Sequence, residues 1–216
     1  MGQIMKESLL SWQLNGRAQP ALLCSPGAER ELLTGHLLTG LFVRGVQEIT
    51  ALASNEESWQ VKTAEEAMPR SLGERLALLP ICASDRRVTL AELTDLSQQL
   101  MRWDNSAGQH AVLLTDGRVR AFGCDIGRHN ALDKAVGQGV ALGLRLDQAV
   151  LCTSGRLSLE IFAKAAAVGI PILCTRKQVG DLACREAERL GIALAQLGRQ
   201  VEIYGAADRV IREETP

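Results

Sequence analysis

The spacing of apolar residues along this chain switches repeatedly between strand-like and helix-like periods. Residues 7–24 read as extended segments broken at Asn15-Gly16, a turn dipeptide. Ser25-Pro26 has the form of a helix start, with serine as cap and proline in the first turn. Leu32, Leu33, Leu37 and Leu38 then form one apolar helical face, and Gly40 stops it. Segments 47–53 and 58–62 read as strands. Residues 63–90 carry charges, Pro69, Gly73 and Pro80, with little periodicity beyond a short leucine-rich piece. Part of this stretch is expected to be an exposed connection holding Cys82. A helix over Thr89–Trp103 follows.

Beyond it the periods alternate. Segments 110–115 and 119–124 flank Asp116-Gly117, a strong hairpin signal. Next come a helix near 130–143, a strand 149–153, a helix 158–167, a strand 170–175, a helix 179–190, and strands 193–197 and 201–204. The charged tail 207–216 is expected to fray. This order predicts right-handed β-α-β crossovers. The fold class is α/β: a mixed, mainly parallel sheet with helices on both faces, plus a smaller N-terminal α+β part. The expected division is residues 1–100 and 101–216. There is no internal repeat and no low-complexity segment.

Composition narrows the function classes. Hydrophobic residues make up 46% of the chain but aromatics only 3%, so aliphatic side chains must fill the core. Scarce aromatics argue against single-stranded nucleic-acid binding, and a net charge of −1 argues against a duplex. No apolar run approaches membrane-span length, and the N-terminus has no signal-peptide pattern. The Met1-Gly2 start has Lys6 where a myristoylation signal wants Ser or Thr. A cytoplasmic location is expected. The cysteines are Cys24, Cys82, Cys124, Cys152, Cys174 and Cys184, with no C-x-x-C pair, and the three histidines are dispersed. Neither a protein-held metal nor a disulfide framework is expected.

Candidate chemistry gathers where strands give way to helices. If 119–124, 149–153 and 170–175 run parallel, their carboxyl ends share one edge. The loops there carry Asp125, Gly127, Arg128, His129 and Asn130, then Ser154, Gly155, Arg156 and Ser158, then Thr175, Arg176 and Lys177. Open α/β sheets bind ligands at this edge. Helix N-terminal amides and arginines grip phosphate, and glycines admit it closely. The pattern predicts a phosphorylated ligand, a nucleotide. Asp125 is read as an acceptor for base or ribose, or else as a helix cap. Asp133, Lys134, Glu160 and Lys164 interrupt apolar helices. They form either a solvated face with a Glu160–Lys164 pair or part of the site. His110 either contacts ligand or is a satisfied, partly buried histidine; His36 is read as structural.

Cys82, in Pro80-Ile-Cys-Ala-Ser-Asp-Arg-Arg87, is the candidate nucleophile. Arg86 and Arg87 would favour its thiolate, and Asp85 would oppose them. The alternative is an incidental loop cysteine. Cys152 and Cys174 lie in apolar runs and are expected in the core, Cys124 in packing, and Cys24 and Cys184 in the structural background.

Asp125-Ile-Gly-Arg-His-Asn-Ala-Leu-Asp-Lys134 with Gly137 resembles the signature of the FdhD family, also called FdhD/NarQ. Ser154-Gly-Arg-Leu-Ser158, Glu160, Lys164-Ala165 and Gly169-Ile-Pro-Ile172 continue it in order. Ser106-Ala-Gly-Gln-His110-Ala111, Ser25-Pro26, Gly35-His-Leu-Leu-Thr39 and Gly191–Arg199 extend the resemblance over nearly the whole chain. It implies a homodimer whose larger part is similar to cytidine deaminase without the zinc ligands. The implied activity is sulfur transfer. A cysteine desulfurase loads a loop cysteine, here Cys82, as a persulfide. The sulfur passes to the molybdenum or tungsten of a bis(molybdopterin guanine dinucleotide) cofactor destined for the formate dehydrogenase catalytic subunit. His110, Asp125, Gly127, Arg128, His129, Asn130, Asp133, Lys134, Ser154, Gly155, Arg156, Ser158, Leu197, Gly198 and Arg199 are the implied cofactor-binding set.

The family loop reads Cys-Gly-Val-Cys-Gly, and this chain has Cys82-Ala-Ser-Asp85-Arg86. A persulfide needs one sulfur; the missing second thiol would serve relay, release or protection. The alternative function is a cofactor-binding chaperone without persulfide chemistry. A zinc nucleoside deaminase is disfavoured, because His-x-Glu and Pro-Cys-x-x-Cys are absent. After Cys174, Thr-Arg-Lys-Gln is more basic than the family's Ser-Ala-Pro-Thr.

Overall fold

The structure is a computed structural model that describes residues 5–55, 58–103 and 109–212. Residues 106–108 of the Ser106–Ala111 motif lie outside them. In chain order the elements are β1 Ser8–Leu10, β2 Trp12–Leu14, β3 Arg17–Ala18, β4 Leu22–Cys24, α1 Glu29–Thr39, β5 Ile49–Ser54, β6 Trp59–Thr63, α2 Leu72–Leu78, β7 Val88–Thr89 and α3 Leu90–Trp103. There follow β8 His110–Thr115, β9 Arg120–Asp125, α4 Arg128–Ala141, β10 Val150–Thr153, α5 Leu159–Ala167, β11 Ile172–Thr175, α6 Asp181–Leu190, β12 Ala193–Leu197, β13 Val201–Gly205 and β14 Val210–Ile211.

The central sheet has the order β13-β12-β11-β10-β8-β9. Pairing is parallel from β10 through β12 and antiparallel elsewhere, so β9, β10, β11 and β12 all point the same way. The central strands Val150-Leu-Cys-Thr153 and Ile172-Leu-Cys-Thr175 are buried at every position. Continuous apolar runs suit strands covered on both faces. Side chains alternate between two cores with the pleat. Val112, Leu114, Leu151, Leu173 and Leu194 face one core with α1, α4, α5 and α6. Leu113, Cys152, Ile172, Cys174 and Ala195 face a second core under Leu93, Leu96 and Leu100 of α3. A four-stranded sheet, β3-β2-β6-β5, joins the first core through Trp12, Leu14 and Val61.

α1 and α4 pack backbone to backbone. A Cβ on Gly35 would collide with the Asp133 main chain, and one on Gly137 with the Glu31 main chain. This close approach brings α1's polar side chains onto α4.

Three expectations are corrected. Ser25-Pro26 does not cap α1, which starts at Glu29 after Ala28 in a left-handed conformation. The connection 63–90 contains α2, opened by a Ser71–Glu74 capping box, and Cys82 is half-buried. The tail is tied down through residue 211, because β14 pairs with β7.

Candidate functional site

The shared carboxyl edge exists, and beneath it lies a scaffold of buried charge. The Asp125 carboxylate, fully buried at the end of β9, accepts three hydrogen bonds and forms an ion pair. Donors are Ser25 N–H at 3.0 Å, Gly127 N–H at 3.0 Å and Asn130 Nδ2 at 3.1 Å, and the cation is Lys134, whose Nζ lies 2.8 Å away. Lys134 also donates to the Ser25 carbonyl at 2.8 Å, and the Ser25 hydroxyl accepts from Ile126 N–H at 3.1 Å. Asn130 also donates to the Leu23 carbonyl at 2.7 Å. Asp125, Lys134 and Asn130 therefore bind the Leu23–Ser25 segment to the turn that starts α4, and their polar atoms are already engaged by the protein.

A second buried network centres on Asp133, the residue before Lys134 on α4. Lys164 Nζ reaches both Asp133 carboxylate oxygens, at 2.7 and 2.9 Å, and Thr39 Oγ1 donates to Asp133 at 2.6 Å. His36 Nδ1 lies 3.4 Å from Asp133. Burial alone would raise the Asp133 carboxyl, but Lys164 and His36 outweigh it and hold it at about 2. The expected Glu160–Lys164 surface pair is thus replaced by a buried Asp133–Lys164 pair. Glu160 instead stands 3.4 Å from His129 Nε2. Burial, helped by Lys164, pushes His129 below the usual imidazole range.

Above this scaffold the edge presents unpaired cations. Arg128, Arg156, Arg176, Lys177 and Arg199 have no carboxylate or hydrogen-bond partner for their side chains among the described residues. His110 opens β8 opposite Asp125. A Cβ on Gly155 would stand 3.5 Å from Arg128 Cβ and from His110 Nδ1, so these three residues cluster. Ser154 and Gly155 are pinned by backbone bonds: Ala111 N–H donates to the Ser154 hydroxyl, and Gly155 N–H to Thr153 Oγ1. Ser158 precedes α5 with its hydroxyl buried and without a hydrogen-bond partner among the described residues. Leu197, Gly198 and Arg199 end β12 on the same edge but four strand positions from β9, roughly 19 Å at the usual strand spacing. The predicted set is a line along the edge, with its anchoring members buried beneath.

Cys82 sits elsewhere. Its N–H donates to the Leu190 carbonyl at 2.8 Å, at the end of α6 and just before β12 begins. That is the amino edge of the sheet. β10 to β12 are four or five residues long, so roughly 13–17 Å of strand separates Cys82 from the cation line. The loop alternates inward and outward, with Cys82, Ser84 and Arg86 half-buried between exposed neighbours.

The cation beside the sulfur is not the one expected from sequence. Arg86 reaches towards Glu92 at 3.9 Å and Arg87 towards Asp208 at 3.8 Å. Arg209 Nη2 instead lies 3.7 Å from Cys82 Sγ. Its other nitrogens donate to the carbonyls of Gly191 at 2.8 Å, Ser84 at 2.7 Å and Arg86 at 3.2 Å. Sequence reasoning missed this residue by assigning it to a frayed tail. A neighbouring guanidinium stabilises a thiolate or persulfide anion and fixes its direction. Asp85, in the family's second cysteine position, faces solvent and accepts from Gln148 Nε2 at 3.1 Å.

Three of the remaining thiols lie above the usual cysteine range. The Cys152 hydrogen bond and burial hold the Cys174 thiol well above its usual range, and burial raises Cys24 and Cys184. Cys152 lies in the core, and Cys124 donates to Gln109 at 3.0 Å. Among the described residues no group of His, Cys, Asp or Glu could hold a metal ion, and no helix is long and apolar enough to cross a membrane.

Comparison with known proteins identifies related chains. The model of the FdhD/NarQ family matches residues 78–211. The sulfur carrier protein FdhD of Streptomyces coelicolor is 38% identical over 133 residues, covering 57% of this chain and 47% of that protein. The chain likewise covers 45% of the Thermoplasma volcanium protein of the same name, so it spans about half the length of these relatives. The sulfur carrier protein FdhD of Methanothermobacter thermautotrophicus is 24% identical over 92% of this chain and 88% of that protein. A crystal structure from Desulfotalea psychrophila, described as a formate dehydrogenase accessory protein, superposes with a TM-score of 0.83 at 23% identity. It covers 95% of this chain and 90% of that one, a likeness of fold.

Proposed function

The chain belongs to the FdhD/NarQ family, and from that premise we propose that it is a sulfur carrier for formate dehydrogenase maturation. Cys82 receives sulfur from a cysteine desulfurase. The Cys82 thiolate attacks the terminal sulfur of the desulfurase persulfide, the desulfurase thiolate leaves, and Cys82 holds the sulfur as a persulfide. The cargo is bis(molybdopterin guanine dinucleotide), with molybdenum or tungsten as the sulfur acceptor. Its phosphates lie along the cation line from Arg128 and Arg156 to Arg199, and the client is the formate dehydrogenase catalytic subunit. The working form is a cytoplasmic homodimer, whose N-terminal part, residues 1–100, supports a cofactor-binding part, residues 101–216. The observation that carries this reading is the guanidinium of Arg209 at 3.7 Å from the sulfur of a half-buried cysteine.

Asp85 favours a second reading, a cofactor-holding chaperone without persulfide chemistry. Without a second loop thiol, release of the sulfur as sulfide calls for a thiol from another molecule. Intact-protein mass spectrometry after incubation with a cysteine desulfurase and cysteine separates the two. The sulfur carrier gains one reductant-labile sulfur atom in wild type and none in Cys82→Ala. No gain in either protein, with guanosine nucleotide binding intact, establishes the chaperone.

A further inference from the structure

A cavity of about 350 Å³ opens among α1, α2, α4, α5 and β2; its lining includes His129, next to Arg128 of the cation line, but neither Cys82 nor any of the unpaired cations. Its size falls within the range of small-molecule sites. One wall is aromatic in a chain with few aromatics. The His36 ring stands edge-on to Trp12 at 5.6 Å between centroids and tilted against Phe42 at 5.4 Å. The polar part of the lining comes from three helices and the segment before α2: Arg70, Arg75, His129, Glu160 and Lys164. Lys164 is neutralised by Asp133 beneath it, which leaves Arg70 and Arg75 against the single carboxylate of Glu160. The cavity therefore carries an excess of positive charge.

Two of its polar residues are unsatisfied. Arg75 Nε and His129 Nε2 are buried and have no hydrogen-bond partner among the described residues. His129 Nε2 is 3.4 Å from Glu160 Oε2, an ion-pair distance whose geometry makes no hydrogen bond. Buried polar atoms are normally paired, so two orphans beside one cavity point to an occupant that pairs them. A purely apolar guest would leave both unpaired. A bare phosphate would leave the aromatic wall without a partner.

We propose that this cavity binds a flat heteroaromatic anion. Its ring lies against the Trp12–His36–Phe42 wall, its anionic group meets Arg70 and Arg75 Nε, a ring N–H donates to Glu160, and a ring heteroatom pairs with His129 Nε2. Only the identity of the natural ligand, the pterin part of the cofactor, rests on the proposed function.

The test is calorimetric titration of the full chain with pterin-6-carboxylate as probe. The proteins are wild type, Arg75→Gln, Glu160→Gln and, as a control on the strand edge, Arg199→Ala. Arg75 and Glu160 lie outside the packed core, and circular dichroism checks each variant's fold. Saturable binding to wild type, weakened about tenfold or more in Arg75→Gln and Glu160→Gln and unchanged in Arg199→Ala, is expected from loss of one charge-assisted contact. No saturable binding to wild type, or equal affinity in all four proteins, overturns the inference. Titration with GDP keeps the two readings apart. GDP binding without probe binding removes the cavity's role and leaves the strand-edge reading standing. Probe binding without GDP binding does the reverse.

Discussion

The two edges of the central sheet solve different problems with the same residue type. At the carboxyl edge, arginines unpaired among the described residues stand above a scaffold in which Asp125 and Asp133 are buried and neutralised by Lys134 and Lys164. At the amino edge, one arginine, Arg209, commits its nitrogens to three carbonyls and one sulfur. The first arrangement leaves charge available to an incoming anion. The second uses charge to hold a cysteine sulfur in place. Under the proposed function, a strand's length between them lets sulfur loading and nucleotide holding proceed without competing.

The sharpest way to break this contrast is to remove the scaffold under one edge only. Lys134→Met leaves the Asp125 carboxylate buried without its cation, which costs about 3–5 kcal/mol of stability. Urea unfolding measures it. A loss below about 1 kcal/mol would show that the four-way Asp125 junction is not what holds this edge.

Removing the surface cations acts on ligand alone. Arg128→Ala and Arg156→Ala each weaken GDP binding by about 1.5–3 kcal/mol, roughly 10- to 150-fold, without changing the unfolding midpoint. Calorimetry that finds neither weakened would detach the nucleotide from this edge.

The scaffold also has a pH signature. Asp133 ionises near 2 in the fold against 3.8 for a free carboxyl, so its contribution of about 2 kcal/mol is fully present above about pH 4 and lost as pH falls towards 2. The Asp133→Leu/Lys164→Met double variant lacks that term. The difference between its unfolding free energy and that of wild type is therefore expected to shift by about this amount between pH 4 and 2. A difference that stays constant would mean the pair is not ionic in the fold.

The smallest effect belongs to the amino edge. Arg209→Gln slows sulfur loading of Cys82 about fivefold, the loss of roughly 1 kcal/mol of charge-assisted contact. Arg209→Lys recovers part of it. Peptide mapping of Cys82 after iodoacetate or iodoacetamide treatment reads the charge directly. Preference for the anionic reagent is expected to fall in the Gln variant and persist in the Lys variant; equal ratios in all three proteins would remove Arg209 from the role.

The alternation from His110 to Gly205 was legible because each strand is a short apolar run closed by glycine or charge, and the predicted bounds lie within about two residues of those found. The shared edge followed from it. The ties across the fold were not legible. Ser25-Pro26 has the local form of a cap, yet the Ser25 N–H is satisfied by Asp125, a hundred positions away. Arg209 looked like part of a charged tail because its partners are brought to it by pairings across the fold, Ser84 and Arg86 by β7–β14 and Gly191 by β12–β13. His36 and Thr39 did carry a signal, since both belong to the Gly35–Thr39 motif. Their common partner, Asp133, becomes visible only when α1 lies against α4.

Native mass spectrometry of the wild-type protein, incubated with a cysteine desulfurase, cysteine and saturating GDP, tests the separation of the two edges most directly. The account predicts one species that carries both an extra sulfur atom and bound nucleotide. Sulfur and nucleotide found only on separate molecules would contradict it, because the two would then share one site.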